Sequence, residues 1–309
     1  MTSAQFYSED NFHLQHLLEK YKKEQREETQ EDDKEERRVK EHTPTITQFI
    51  PSLNQITTDV DKFNKRVFFT GQQRGLRCII LGTVEPNSDP VILLTPKRFL
   101  EGRPRILVIG GMHGNEPCGP YAILKALETI SDETLFSCNI SFIPCINPYG
   151  LRMGDRTDND RDDPNRGYIH KDKIEQKDTT QSGDVLMNNN HLLLNLGRDC
   201  FVSLHEDWEE ESFYCYVSEQ DGDKELGDEI IEVAKMHFDI KEGGKVGRAK
   251  VSGGKLDSSH DGSFEDFMYD NASKICVTIE TPGMKPIDER ILCAIDCIEK
   301  IIEYTCEEK

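Results

Sequence analysis

Ile106-Leu107-Val108-Ile109-Gly110-Gly111-Met112-His113-Gly114-Asn115-Glu116 is an apolar run that ends in two glycines and then turns polar. Its first four residues read as a buried strand, and the glycines permit a tight turn and close backbone approach. Two later runs share the design. Cys200-Phe201-Val202-Ser203-Leu204 leads into His205-Glu206-Asp207, and Ile275-Cys276-Val277-Thr278-Ile279 leads into Glu280-Thr281-Pro282-Gly283. In open α/β sheets the ligand crevice lies outside the carboxyl ends of the strands. Neighbouring parallel strands with these endings would bring all three polar groups into one cleft.

Further short apolar runs extend the pattern. Val67–Thr70, Arg77–Val84, Val91–Leu94, Ile140–Pro144 and Phe213–Val217 read as strands. Helical stretches fall between them at Pro120–Ile130, Ser182–Leu196, Gly227–Phe238 and Ile287–Tyr304, the last with Ile291, Ile295, Ile298 and Ile302 on one face. Alternating strands and helices imply an α/β fold: a mixed, mostly parallel twisted sheet flanked by helices on both faces. Residues 1–42 read differently. Leu14, Leu17, Leu18 and Tyr21 have helical spacing, and a charged run from Lys22 to Glu41 follows. This is a helical or disordered arm that could bind a protein partner, ahead of a catalytic domain over residues 43–309.

Composition narrows the class. The chain has 309 residues with 36% hydrophobic content, enough for one sizeable core. A net charge of −20 disfavours nucleic acid and anionic membranes as partners. No apolar run reaches the ~20 residues of a membrane span, and Met1 to Phe12 lacks the apolar stretch of a secretory signal. The ten cysteines include no Cys-x-x-Cys and fall mostly in or beside buried elements. They point to a reduced, cytoplasmic setting.

His113 and Glu116 can point at one ion, and His205 from a distant strand end would complete a His2Glu set for one zinc ion with an open position for water. His113-x-x-Glu116 alone is a weak signal; its coincidence with the strand ends gives it weight. The same donors also describe a non-heme iron triad, although nothing else in the chain suggests an oxygenase. Glu280 is either a capping or salt-bridged carboxylate or a general base that takes a proton from water and delivers it to a leaving amine. The loop from Asn147-Pro148-Tyr149-Gly150 through Arg152 and Arg156 to Asp163-Pro164-Asn165-Arg166 reads as a turn followed by a polar segment. Asn165 and Arg166 could hold a substrate carboxylate, and a second arginine could stabilise an oxyanion.

This ordered set of motifs resembles the zinc metallocarboxypeptidase (M14) superfamily, in the bacterial-type branch near succinylglutamate desuccinylase and aspartoacylase. The resemblance extends over about Val67 to Tyr304. It implies a carboxypeptidase-like fold, with zinc on His113, Glu116 and His205 and Glu280 as general base and acid. It further implies that Asp163 orients His113, that Asn165 and Arg166 hold the substrate carboxylate, and that Arg156 polarises the scissile carbonyl, with Arg152 as the alternative. The family's substrate-contacting tyrosine has no clear counterpart; Tyr269, His260, Tyr214 and Tyr216 are candidates. Ser252-Gly253-Gly254 resembles the stretch before the peptidases' specificity position, which would fall near Leu256. The expected activity is hydrolysis of C-terminal amide bonds in a peptide, or deacylation of an N-acyl amino acid with a free carboxylate. A non-catalytic binding protein that kept the fold is the alternative of another class. The acidic patch Asp207-Trp208-Glu209-Glu210-Glu211 reads as a solvated loop, or as a rim of the cleft that would favour cationic substrates, and Phe264, Phe267 and Met268 read as core.

Overall fold

The computed structural model describes residues 59–168, 180–220, 225–247, 249–257 and 261–307, together with Glu19 and Lys23. Apart from those two positions, the arm expected over residues 1–42 lies outside the described residues, as does His260. The body described below belongs to the unit Pro51–Lys309.

It begins with α1 (Val60–Gln73), capped by Asp59, whose carboxylate accepts the Lys62 N–H at 3.1 Å. Strands β1 (Leu76–Val84), β2 (Asp89–Pro96) and β3 (Arg105–Gly110) follow, then α2 (Cys118–Thr129), the short α3 (Asp132–Leu135), β4 (Asn139–Ile143) and α4 (Pro148–Met153). The second half starts with α5 (Gln181–Asn188), α6 (Asn190–Leu196), β5 (Cys200–Asp207), β6 (Tyr214–Glu219) and α7 (Glu225–Ala234). The two-residue strands β7 (Lys245–Val246), β8 (Ala249–Lys250) and β9 (Lys255–Leu256) lead to α8 (Phe264–Asn271), β10 (Ile275–Pro282) and α9 (Ile287–Glu307).

Three expectations need correction. Val67–Thr70 is not a strand but part of α1, because Val60, Phe63 and Val67 form a buried stripe at helical spacing that outweighs four β-prone residues. Ser182–Leu196 is two helices, α5 and α6. They break at Asn189, whose side chain donates to the carbonyls of Leu81 and Val185. Asn147–Gly150 is the start of a helix: Asn147 caps α4 by accepting the Gly150 N–H at 2.8 Å, and Pro148 occupies the first turn.

The sheet runs β1-β2-β4-β3-β5-β10-β6-β9. Its centre, β4-β3-β5-β10, is parallel, while β1, β2 and β6 join antiparallel. Strand residues alternate between two cores. Ile106, Val108, Val202, Val277 and Ile279 pack towards α1, α2, α7 and α9. Leu107, Ile109, Phe201 and Cys276 pack towards α5, α6 and α8, and Phe264 and Met268 lie in that second core, as expected. From β3 the chain crosses to β4 on one side, whereas β5 lies on the other, so the strand order reverses between β3 and β5. A crevice opens at such a switch point, and the β3 and β5 ends carry His113 and His205. Among the described residues no helix is long and apolar enough to cross a membrane.

Close backbone packing sets the loop after β3. Gly111 turns with φ +63°, and a Cβ on Gly114 would collide with the backbone of Gly150 at the start of α4. The Gly114→Ala variant is therefore expected to lose about 1–3 kcal/mol of stability, as overpacked sites do. Denaturant unfolding checks this; wild-type stability would show that the loop can move aside.

Candidate active site

Glu116 stands between two imidazoles. Its Oε1 lies 2.7 Å from His113 Nδ1 and its Oε2 lies 2.9 Å from His205 Nδ1. The Glu206 N–H also donates to Oε2 at 3.2 Å. All three side chains are buried, and one ligand atom from each lies within 4.8 Å of the others. The far ring nitrogens face carboxylates too: His113 Nε2 is 3.1 Å from Asp163 Oδ1, and His205 Nε2 is 3.1 Å from Glu265 Oε1.

This arrangement tests the donor set. A neutral imidazole has one N–H and one lone pair. If Nε2–H donates outward to Asp163 or Glu265, the Nδ1 lone pair points at Glu116, and a lone pair against a carboxylate is repulsive unless a cation lies between. Two imidazoles and one carboxylate, each imidazole backed by a carboxylate, therefore fit a divalent metal such as zinc. Without it, protons do the work. Burial alone would lower the His205 pKa, but Glu116 and Glu265 raise it well above the usual range. Burial likewise pulls Glu116 and Glu265 upward, and the imidazoles override it to hold both carboxyls at about 2.

Glu280 sits beside His205 in the β5–β10 register and opposite Tyr214 in the β10–β6 register. Burial pushes its carboxyl up to about 8; nearby His205 opposes the shift, and Glu116, Asp207 and Glu265 add to it. Glu280, Thr278 and Cys276 share one face of β10, paired with Tyr214, Tyr216 and Ser218 of β6. All six line a cleft of about 360 Å³ together with His113, Glu116 and His205.

The other expected residues divide. Arg156 lines the cleft, with Nη2 3.0 Å from Asp163 Oδ2 and Nη1 3.3 Å from Glu116 Oε1. Arg152 does not reach it. Its guanidinium makes a two-point contact with buried Asp89, at 2.6 and 3.2 Å, which corrects the expectation of a substrate contact there. Arg166 lines the cleft and pairs with Asp261 at 3.0 Å. Asn165 also lines the cleft, and its amide is engaged within the protein: its Nδ2 donates to Glu265 Oε2 at 2.9 Å, and its Oδ1 accepts the Phe264 N–H at 2.9 Å. It thus holds Glu265 against His205. Tyr214, Tyr216 and Tyr269 line the cleft, whereas Leu256 is buried in a small cluster with Tyr214 and Val251. Asp207, Trp208 and Glu209 also line it, so the first three residues of the acidic patch follow the cleft-rim alternative rather than the solvated-loop reading.

Two buried groups were not legible as site residues. Glu265 follows Phe264 and precedes Met268 on α8, and its place on that buried helix edge is the available signal. Arg290 reaches from α9 to ion-pair with Glu206, and its guanidinium lies 5.4 Å from the Trp208 ring centroid. Glu206 also accepts the Cys118 N–H at 2.6 Å, tying the His205 strand end to α2 and α9.

Glu265→Gln is expected to weaken metal affinity about 10–100-fold, the usual loss when a ligand's hydrogen-bond partner is removed. Competition with a chelator measures it, and an unchanged affinity would show that Glu265 does not orient His205. Arg290→Met leaves Glu206 buried without its cation and should cost about 3–5 kcal/mol in unfolding free energy; urea titration checks it.

Comparison with known proteins finds solved structures of similar fold, three of which follow. "A putative metallopeptidase" from Shewanella amazonensis SB2B is 29% identical, with a TM-score of 0.75, covering 80% of this chain and 93% of that one. A second, from Shewanella baltica OS155, is 25% identical with a TM-score of 0.75, covering 80% and 92%. Bovine thrombin-activatable fibrinolysis inhibitor, solved with tick carboxypeptidase inhibitor, shares the fold at 14% identity and a TM-score of 0.60, covering 81% and 97%. No curated protein matches the chain. The succinylglutamate desuccinylase/aspartoacylase catalytic domain matches residues 102–296, a span from just before β3 into α9 that contains every residue of the cleft described above. The chain belongs to this family of metallohydrolases, the succinylglutamate desuccinylase/aspartoacylase catalytic-domain family.

Proposed function

We propose that the chain is a zinc-dependent hydrolase of C-terminal amide bonds, with a peptide or N-acyl amino acid as substrate. The observation that carries this reading is the meeting of His113, Glu116, His205, Glu280, Arg156 and Arg166 in one cleft. His113, Glu116 and His205 would hold the ion. Bound zinc supplies a Lewis acid that polarises the scissile carbonyl and acidifies water.

The chain's own residues supply the rest. Asp163 and Glu265 fix the rings of His113 and His205, leaving each Nδ1 free to act as a ligand. Arg166 binds the substrate's free carboxylate, with a planar guanidinium suited to a two-point contact. Arg156, at the edge of the metal-ligand cluster, steadies negative charge on the carbonyl oxygen. Glu280 takes a proton from the attacking water and returns it to the leaving nitrogen. A carboxyl raised towards neutrality can hold that proton between the two events.

Whether the acyl side is a peptide or a small acyl group is a narrower question. The carboxypeptidase-like reading draws on the solved metallopeptidase relatives. The deacylase reading is favoured by the catalytic-domain match over residues 102–296. Purified protein assayed on peptides beside N-acetyl and N-succinyl amino acids separates the two; activity on the acyl amino acids alone selects deacylation. A cytoplasmic setting belongs to the same reading and is supported by ten free cysteines.

Glu280→Gln is expected to retain metal at wild-type stoichiometry while kcat falls by about 10²–10⁴, the usual contribution of acid–base catalysis. Metal analysis and steady-state kinetics on the same preparation check both halves. Turnover at the wild-type rate would remove Glu280 from the role of base.

A further inference from the structure

Trp208 is the chain's one tryptophan and follows His205 by three residues. Its ring is held at three points. The indole Nε1–H donates to the Asn115 carbonyl at 3.2 Å, next to Glu116. Gly283 lies against the ring, where a Cβ would come within 2.8 Å of Cδ2. The Arg290 guanidinium sits 5.4 Å from the ring centroid. Asn115, Trp208 and Gly283 follow β3, β5 and β10 in turn, so the indole ties together the ends of the three strands that frame the cleft. It is nonetheless 42% exposed, and it lines the cleft.

An exposed apolar side chain needs no explanation by itself. A large flat one, locked in orientation on a cleft wall, is a different object. Its ordering is met within the fold, so a ligand that packs against it gains contact area without freezing a side chain.

Its position decides which half of a substrate it would meet. Cys276 and Thr278 come first along β10, paired with Ser218 and Tyr216 of β6, and Glu280 follows, paired with Tyr214. Pro282 and then Gly283, the residue against Trp208, lie about 7–10 Å further on at the rise of an extended strand. Arg166 and its partner Asp261 belong with the first part of this path. Burial pushes the Tyr216 phenol up to about 12, with Glu280 and Asp261 adding to the shift and Arg166 opposing it. Arg166 and Trp208 thus lie to either side of Glu280 along the cleft.

We infer that Trp208 determines specificity: it is the platform for the acyl half of the substrate, and that half carries an aromatic or large apolar group. The inference rests on the hydrolase reading above, in which Arg166 takes the carboxylate of the released half, and extends it to the other side of the scissile bond.

The test uses zinc-loaded full-length protein and substrates that share a released amino acid and differ in what is attached to its nitrogen: acetyl, succinyl, phenylacetyl or N-acetylphenylalanyl. The series is run with lysine, glutamine, glutamate and leucine as the released residue. The better of the two phenyl-bearing substrates is expected to exceed acetyl and succinyl in kcat/KM by about tenfold or more. Which of the two leads tells an acyl amino acid from a peptide. Acetyl or succinyl equalling or exceeding both overturns the inference. Trp208→Phe keeps a flat ring and is expected to retain most of the preference, whereas Trp208→Ala abolishes it. A ratio of two substrates on one preparation is insensitive to a general loss of active protein, so an unchanged ratio in Trp208→Ala also overturns the inference.

If the wild type hydrolyses none of these compounds, the hydrolase reading fails and the platform is read by binding. The fluorescence of the single tryptophan then reports occupancy directly. Tighter binding of N-phenylacetyl than of N-acetyl amino acids supports the platform; equal or reversed affinities overturn it.

Discussion

The Glu116 carboxylate, shared between two imidazoles, is the interaction on which the rest of the site depends. One oxygen faces each ring, and the backbone after His205 donates to it as well. A buried carboxylate in this position is tolerable only with positive charge close by, whether protons on the rings or a metal among them. Everything around it serves that requirement. Asp163 and Glu265 hold the rings from behind, Arg156 neutralises the outer edge, and Arg290 balances Glu206 in the layer below.

The sheet brings these charges together cheaply. A parallel centre puts the carboxyl ends of β3, β5 and β10 on one edge, and the reversal of strand order keeps the space beyond β3 and β5 clear. His205 and Glu280 lie side by side because the β5 and β10 registers match residue for residue. They also share a face, since each falls on the same alternation as the second core. His205 and Glu280 are therefore mounted on strands, which restrain them well, whereas His113 and Glu116 lie on the loop after β3 and Arg156 and Arg166 on the loop after α4.

Much of this was legible because strand ends announce themselves. An unbroken apolar run that gives way to His or Glu is a strong local contrast, and seven of the eight expected strands have counterparts in the structure. Val67–Thr70 failed because its residues favour either state locally, and the deciding partners, Val60 and Phe63, lie outside the window. Arg156 was the expected carbonyl contact and Arg152 its alternative in the same loop; Asp89, distant in sequence, captures Arg152. Asn165 was readable as a polar residue in a polar loop but not as the clamp on Glu265, because that contact spans 100 positions. Glu265 itself was hidden between core residues, where a carboxylate makes sense only once His205 is known to lie against it.

The place of β10 in the sheet also bears on how the enzyme is made. It is the last described strand in the chain, yet it lies between β5 and β6. A nascent polypeptide that has emerged as far as β6 therefore has an unfilled slot at the heart of its sheet, with backbone donors and acceptors of two strands unsatisfied. Such pairing over long sequence separation is slow to form and leaves adhesive edges exposed meanwhile. Glu280 arrives with that closing strand, so His113 and His205, the proposed ligands, are synthesised well before the proposed base. The cleft is thereby left incomplete until β10 is made, and the interval is when a chaperone would have most to shield.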